Sequence, residues 1–321
     1  MMTANRGHRH DAVCYDSDEH LLAVVVPFLL GGIAAGEPTV VSLGERAEGL
    51  VRAILPPGDG VTFLAGGAVY ARPASVIRQY RNLFADHVAA GAGRIRIIGE
   101  LPSTAHGITW DWWARYEAAV NELYDDFPVW SMCAYDTRIT PEVVLADVRR
   151  THRRTVLPGG RHLPHPEYTE PAAFLGEPRR PLPDPLQQAP PRADLTDPSP
   201  GRAREAIREV HDDLLGREAL DGMLLAVSEA VSNAHRHGRG PVRMRAWTGA
   251  DRVVVSVSDT GAGPADPFAG LLPAGDGTAG GFGLWLTHLF CDHVALDRGR
   301  PEGYTIRLTA VTGNRTTASN R

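Results

Sequence analysis

Between residues 158 and 200, twelve of the chain's 25 prolines fall within 43 positions. Proline lacks the backbone N–H and has a fixed φ, so such a stretch cannot form the interior of a helix or a central strand. Runs such as Pro178-Arg-Arg-Pro-Leu-Pro-Asp-Pro185 favour extended, semi-rigid polyproline. We read 158–200 as a linker, with Tyr168 and Phe174 touching a domain surface. It separates two domains, 1–157 and 201–311, and a polar tail over 312–321 is expected to be disordered. At 321 residues the chain is long enough for two cores. The same stretch leaves no room for a histidine-kinase dimerisation helix, which needs a long proline-free heptad pattern. His152, in Arg149-Arg-Thr-His-Arg-Arg154, is followed closely by Pro158 and makes a poor phosphoacceptor.

The chain contains no lysine; all of its basic side chains other than histidine are arginine. P-loop ATPases and protein kinases of the eukaryotic type both need a lysine on the nucleotide phosphates. Schiff-base chemistry needs one as well, so all three classes are disfavoured. The net charge of −5 argues against a general nucleic-acid binder. The longest apolar run, Leu21 to Leu30, contains Pro27 and is too short to span a membrane. The polar N-terminus has no signal-peptide core, and Cys14, Cys133 and Cys291 suggest no disulfide framework. A reduced cytoplasm is the expected home.

Over residues 9–150, strand-like and helix-like stretches alternate, which predicts an α/β layer with a mainly parallel sheet. Helices are expected over 19–35, 73–90, 110–127 and 141–150, the last capped by Thr140. Strands are expected over 38–43, 61–65, 94–100 and 129–135. Ligands of such sheets bind beyond the carboxyl ends of strands, where Glu100 and Asp136 sit. Helix capping or loop-amide bonding is the competing role for both. Trp110, Trp112, Trp113 and Tyr116 suit core or interface packing better than a ligand cage. His8, His10 and Cys14 lack a second cluster at zinc-site spacing, so no metal is expected there.

This segment resembles the MEDS sensory domain of bacterial regulators over about residues 8–155. The likeness lies in His10 to Tyr15, Asp18-Glu19, Pro27-Phe-Leu-Leu-Gly-Gly-Ile-Ala-Ala-Gly-Glu37, Trp130-Ser-Met-Cys-Ala-Tyr-Asp136 and Pro141-Glu142. It implies a fold related to RecA-type ATPases with the phosphate loop lost, hence a non-hydrolysing sensor of an unidentified small ligand. Dimerisation through the aromatic face is the alternative role.

In the second half, residues 224–238 place Leu224, Val227, Ala230, Val231 and Ala234 on one apolar helix stripe. Glu229, Asn233 and His237, spaced i, i+4, i+8, line another face, and Gly238 ends the helix. Two alternating strands, 241–247 and 252–258, form a hairpin whose second strand delivers Asp259-Thr-Gly-Ala-Gly263. A carboxylate there can accept a hydrogen bond from an adenine amino group, with glycines letting the backbone pass beneath the base. A plain tight turn is the competing role. After a loop poor in large apolar residues, Gly280-Gly-Phe-Gly-Leu284 opens a helix, and such an N-terminus favours anions. Strands over 292–297 and 303–310 close the domain.

Glu229/Asn233, Asp259/Gly261/Gly263 and Gly281/Gly283, in that order, resemble the N box and two glycine boxes of the GHKL superfamily. The compact domain is most similar to the anti-sigma-factor serine kinases. The resemblance implies a Bergerat-type α/β sandwich that binds ATP and Mg²⁺. In it Glu229 is the general base, Asn233 the magnesium ligand and Asp259 the adenine reader, with Gly261 and Gly263 giving room. Gly281 and Gly283 let the lid approach the phosphates, and His237 or Arg236 touches them. The implied partners are a sigma factor and an anti-anti-sigma protein of STAS type, with no direct nucleic-acid or membrane contact. A non-catalytic ATP-binding interaction module, or a protein like a sensor histidine kinase, is the alternative.

Overall fold

A computed structural model describes residues 7–55, 58, 60–64, 72–273, 282–298 and 303–312. The chain divides into two units, Met1–Glu177 and Pro178–Arg321.

The first unit is built on a seven-stranded sheet. Its strands are β1 (Arg9–Tyr15), β2 (Thr39–Ser42), β3 (Val61–Phe63), β4 (Ile95–Gly99), β5 (Val129–Asp136), β6 (Arg154–Leu157) and β7 (Arg161–Pro164). They lie in the order β3-β2-β4-β5-β1-β6-β7, and every pairing is parallel except the antiparallel edge pair β6/β7. Helices α1 (Asp18–Ala34), α2 (Glu45–Ile54), α3 (Pro73–Ala89), α4 (Trp110–Leu123), α5 (Glu142–Thr151) and α6 (Pro171–Gly176) connect or follow them. All four residues of β2 are buried, as are Ala12 and Val13 of β1, as a parallel sheet covered on both faces requires. Ser17 caps α1 by accepting from the His20 N–H at 3.1 Å. Thr140 does not cap α5: the N-cap is Pro141, and Thr140 donates its N–H to the Asp136 carbonyl at 2.9 Å.

The second unit carries an antiparallel five-stranded sheet, β11-β12-β10-β9-β8, from β8 (Ala193–Thr196), β9 (Arg243–Thr248), β10 (Arg252–Asp259), β11 (His293–Asp297) and β12 (Tyr304–Val311). Its helices are α7 (Pro200–Val210), α8 (Arg217–His237) and α9 (Phe282–Phe290), and α8 packs on β10 and β12. Met223, Ala226, Val227 and Val231 of α8 are fully buried, so the apolar stripe read from the sequence is the face that meets the sheet.

Residues 158–200 depart from the expected extended linker: each unit takes a share of them. β7 extends the first sheet and α6 buries Phe174 and Leu175 completely, whereas β8 and the 3₁₀ turn Pro185–Gln188 belong to the second unit. Four of the prolines sit where proline is tolerated. Pro171, Pro185 and Pro200 open helical turns, and Pro164 ends an edge strand. Asp184 is held by Arg252 at 2.9 and 3.0 Å, which ties the stretch to β10. Residues 313–321 of the expected tail lie outside the described residues.

Candidate functional site

Three pieces of the second unit converge along α8. Glu229 and Asn233 are half-buried on the helix flank, and His237 is exposed at its last residue. Helix α9 runs antiparallel beside α8. At its far end a Cβ on Gly222 would lie 3.1 Å from Phe290 Cβ. At its start, a Cβ on Gly283 would lie 2.3 Å from Glu229 Oε2 and 3.5 Å from Asn233 Nδ2. A larger residue here would push that carboxylate aside. The first turn of α9, at the positive end of its dipole, therefore sits beside Glu229 and Asn233. Thr287 steadies this turn by donating its hydroxyl to the Gly283 carbonyl at 2.9 Å.

Asp259 ends β10, buried, next to the C-terminus of α8. Its Oδ1 accepts from the Gly261 N–H at 2.6 Å and the Arg239 N–H at 3.1 Å. Those two backbone donors fix the carboxylate through one oxygen. Gly238 caps the C-terminus of α8 as expected, leaving the helix in extended conformation (φ −82°, ψ −167°) with its N–H on the Ala234 carbonyl. Its lack of a side chain also serves Asp259, because a Cβ there would overlap Asp259 Cγ. The same holds for Gly261, whose Cβ would meet Asp259 Oδ1 at 2.7 Å. Gly263 has φ +76°, and a Cβ on it would overlap the Tyr304 ring, so its glycine answers to backbone conformation and to β12. Gly281 lies outside the described residues.

This arrangement suits a magnesium nucleotide. An oriented carboxylate acceptor and a helix N-terminus stand at separate points along α8, with a second carboxylate and an amide beside that N-terminus. Nine residues of helix, about 14 Å at about 1.5 Å each, separate Glu229 from Gly238 beside Asp259.

Comparison with protein-family models agrees in order and extent. Residues 194–310 match the histidine kinase-like ATPase domain, and residues 9–153 match MEDS, the methanogen/methylotroph DcmR sensory domain. The chain joins a MEDS domain to a histidine kinase-like ATPase domain. That pairing makes it a regulatory, ATP-binding, kinase-like protein of the GHKL type. No curated protein matches it. Among the described residues, no helix is long and apolar enough to cross a membrane.

In the MEDS unit, Glu100 and Asp136 meet at the carboxyl ends of β4, β1 and β5. The Tyr15 hydroxyl donates to Glu100 Oε1 at 3.0 Å, and the Gly44 N–H donates to Oε2 at 2.9 Å. Arg46 reaches both the Tyr15 oxygen, at 3.0 Å, and Asp136 Oδ2, at 3.2 Å. Arg138 clamps both Asp136 oxygens at 2.8 and 2.6 Å. Hydrogen bonds from Arg138 hold the Asp136 carboxyl below its ordinary range, while burial and then the Glu100 charge push the Tyr15 phenol up. Both carboxylates are thus engaged by protein groups, including a loop amide. Trp110, Trp112, Trp113 and Tyr116 are all buried, and Trp110 donates to Asp147 Oδ2 at 2.9 Å. That group is core, and no aromatic cage faces solvent there.

Proposed function

We propose that the second domain is an anti-sigma-factor serine kinase, acting in a bacterial switch on a sigma factor and a STAS-type anti-anti-sigma protein. The observation that carries this reading is the approach of Gly283 to Glu229 and Asn233, which brings the second glycine box onto the N box. In that role Glu229 accepts the proton of a partner serine hydroxyl, Asn233 ligates magnesium and Asp259 accepts from the adenine amino group. Gly261 and Gly263 shape the turn beneath the base, and Gly281 and Gly283 let the lid close over the phosphates. His237 stands exposed beyond Asn233, available to a phosphate. ATP with Mg²⁺ supplies the phosphoryl group and much of the charge neutralisation, a task that positioned residues support without lysine. Autophosphorylation on His152 is disfavoured, because that ring is completely buried.

Incubation of the full chain with γ-labelled ATP, Mg²⁺ and a STAS-type protein is expected to place acid-stable label on a serine. Tight ATP binding without transfer would favour a non-catalytic interaction module, and acid-labile label on this chain would restore the histidine-kinase reading. The first domain serves as the sensor in this scheme and binds neither ATP nor Mg²⁺.

A further inference from the structure

Four side chains from distant parts of the MEDS unit meet below its surface. They are His10 on β1, Glu117 on α4, Cys133 on β5 and His152 just after α5. Their ligating atoms all lie within 4.8 Å of one another. His10 Nε2 is 3.2 Å from Glu117 Oε2 and 3.3 Å from Cys133 Sγ. His152 Nε2 is 3.5 Å from Glu117 Oε2, and Cys133 Sγ is 3.6 Å from it. A tetrahedral ion with bonds of about 2.0–2.3 Å has ligand-to-ligand edges of about 3.3–3.8 Å. The four separations fall on or close to that range.

Proton counting points the same way. Asn121 donates its amide N–H groups to the carbonyls of Glu117, Ala118 and Thr151 at 3.0, 3.1 and 2.8 Å. Its oxygen is thereby turned towards His10 Nδ1, at 3.3 Å, as an acceptor. His10 must carry a proton on Nδ1 to use that acceptor, and in the neutral ring this leaves a lone pair on Nε2. His152 Nδ1 stands 3.0 Å from the Val148 carbonyl and donates to it, so its Nε2 also presents a lone pair. Two imidazole lone pairs and a carboxylate oxygen then converge, and one thiol proton is the only donor among the four groups. Metal-binding histidines are held this way, with the outer ring N–H fixed by a carbonyl or amide oxygen. His152 is 0% exposed, Glu117 1% and His10 4%, so these groups have no access to bulk water for compensation.

We propose that His10 Nε2, Glu117 Oε2, Cys133 Sγ and His152 Nε2 form a four-ligand site for a divalent transition-metal ion of the zinc type. Two imidazoles, a thiolate and a carboxylate are nitrogen, sulfur and oxygen donors that suit zinc and not magnesium or calcium. Binding replaces the Cys133 S–H proton, which leaves to solvent, by a sulfur–metal bond. The thiolate and carboxylate together cancel the dication's charge, as a buried site demands. With four protein ligands the sphere is closed, so the ion ties β1 and β5 to α4 and to the end of α5. His8 backs the site by stacking on His10 at 5.4 Å between ring centroids.

Cobalt(II) titration of the metal-stripped, untagged full chain tests this. We expect one equivalent to give tetrahedral ligand-field bands together with a thiolate charge-transfer band, and zinc to displace it. Cys133→Ser should abolish the charge-transfer band, and His152→Gln should weaken binding at least 100-fold. Cys14→Ser should leave the spectrum unchanged. Wild-type protein with no thiolate band, or Cys133→Ser and His152→Gln variants that bind like wild type, would overturn the site in favour of a metal-free imidazole–carboxylate pair. Should the variants fail to fold, the wild-type melting temperature decides: zinc should raise it relative to a chelator, and no shift at saturating zinc rejects the proposal.

Discussion

Replacing Gly283 with alanine should leave the second unit folded and able to take up ATP, yet slow phosphoryl transfer by about 10²–10⁴-fold. The new Cβ would stand 2.3 Å from Glu229 Oε2 and 3.1 Å from Glu229 Cδ. Van der Waals contact lies near 3.5 Å, so the overlap with the oxygen is about 1 Å. The carboxylate ends a flexible side chain and yields by rotating away, at about 0.5–1.5 kcal/mol if it leaves a rotamer well. Alanine's higher helix propensity offsets about 1 kcal/mol of that, so the melting temperature should move by only a few degrees. Asn233 Nδ2, at 3.5 Å, stays put. The damage therefore falls on the position of Glu229, the proposed base. Three variants resolve it: Gly283→Ala, Glu229→Ala and the pair, each measured for transfer to a STAS-type protein, ATP affinity and melting temperature. If the glycine acts through Glu229, the pair transfers no more slowly than Glu229→Ala alone, the non-additivity expected of groups in contact. Wild-type transfer by Gly283→Ala would refute the reasoning, as would a double variant far slower than Glu229→Ala.

Asp259→Asn should weaken ATP binding by about 10- to 100-fold through the lost charge-assisted bond, and Asn233→Ala should weaken it in a magnesium-dependent way. Glu229→Ala should retain affinity, so equal losses across the three in nucleotide titration would mean the roles are misassigned. Arg138 holds Asp136 below the ordinary carboxyl range, so this contact stabilises fully above about pH 3.9 and fades as pH falls through the lower folded value. Asp136→Asn should flatten that acid limb in melts over about pH 2–5; an unchanged limb would assign acid sensitivity elsewhere. A fragment ending at 157 loses Phe174 and Leu175, both fully buried, and should melt well below one ending at 177, each side chain contributing about 1.5–3 kcal/mol. Equal melting temperatures would show that α6 is dispensable.

What could be read from the sequence is what local pattern controls. The 3.6-residue stripe on α8 names its buried face correctly, and Glu229, Asn233 and the Asp259 turn lie where their spacing puts them. The strand–helix alternation of residues 9–150 likewise yields the parallel sheet, since each βα unit is a local signal. The proline-rich stretch is less legible because proline content alone says nothing of where each proline sits in a turn or helix. Pro171, Pro185 and Pro200 are helix-opening residues, and the short segments they begin earn their stability from tertiary burial that no window of sequence contains.

The glycines and the buried cluster fail the sequence reader for a related reason. Gly238 is the helix cap its place in the sequence suggests and Gly261 lies in the turn after β10, but each is also small so that the Asp259 carboxylate can sit between two chain segments. One aspartate thus requires two glycines more than twenty residues apart, a dependence invisible until β10 is laid beside the end of α8. His10, Glu117, Cys133 and His152 are separated by 107, 16 and 19 positions and match no ligand spacing. Parallel register supplies what spacing lacks: β1 aligns Ala12 with Cys133, bringing His10 and Cys133 onto adjoining strands beneath α4. In a parallel α/β layer every strand neighbour is a long-range contact, so a ligand set assembled across the sheet is a product of topology, and a search confined to local motifs passes over it.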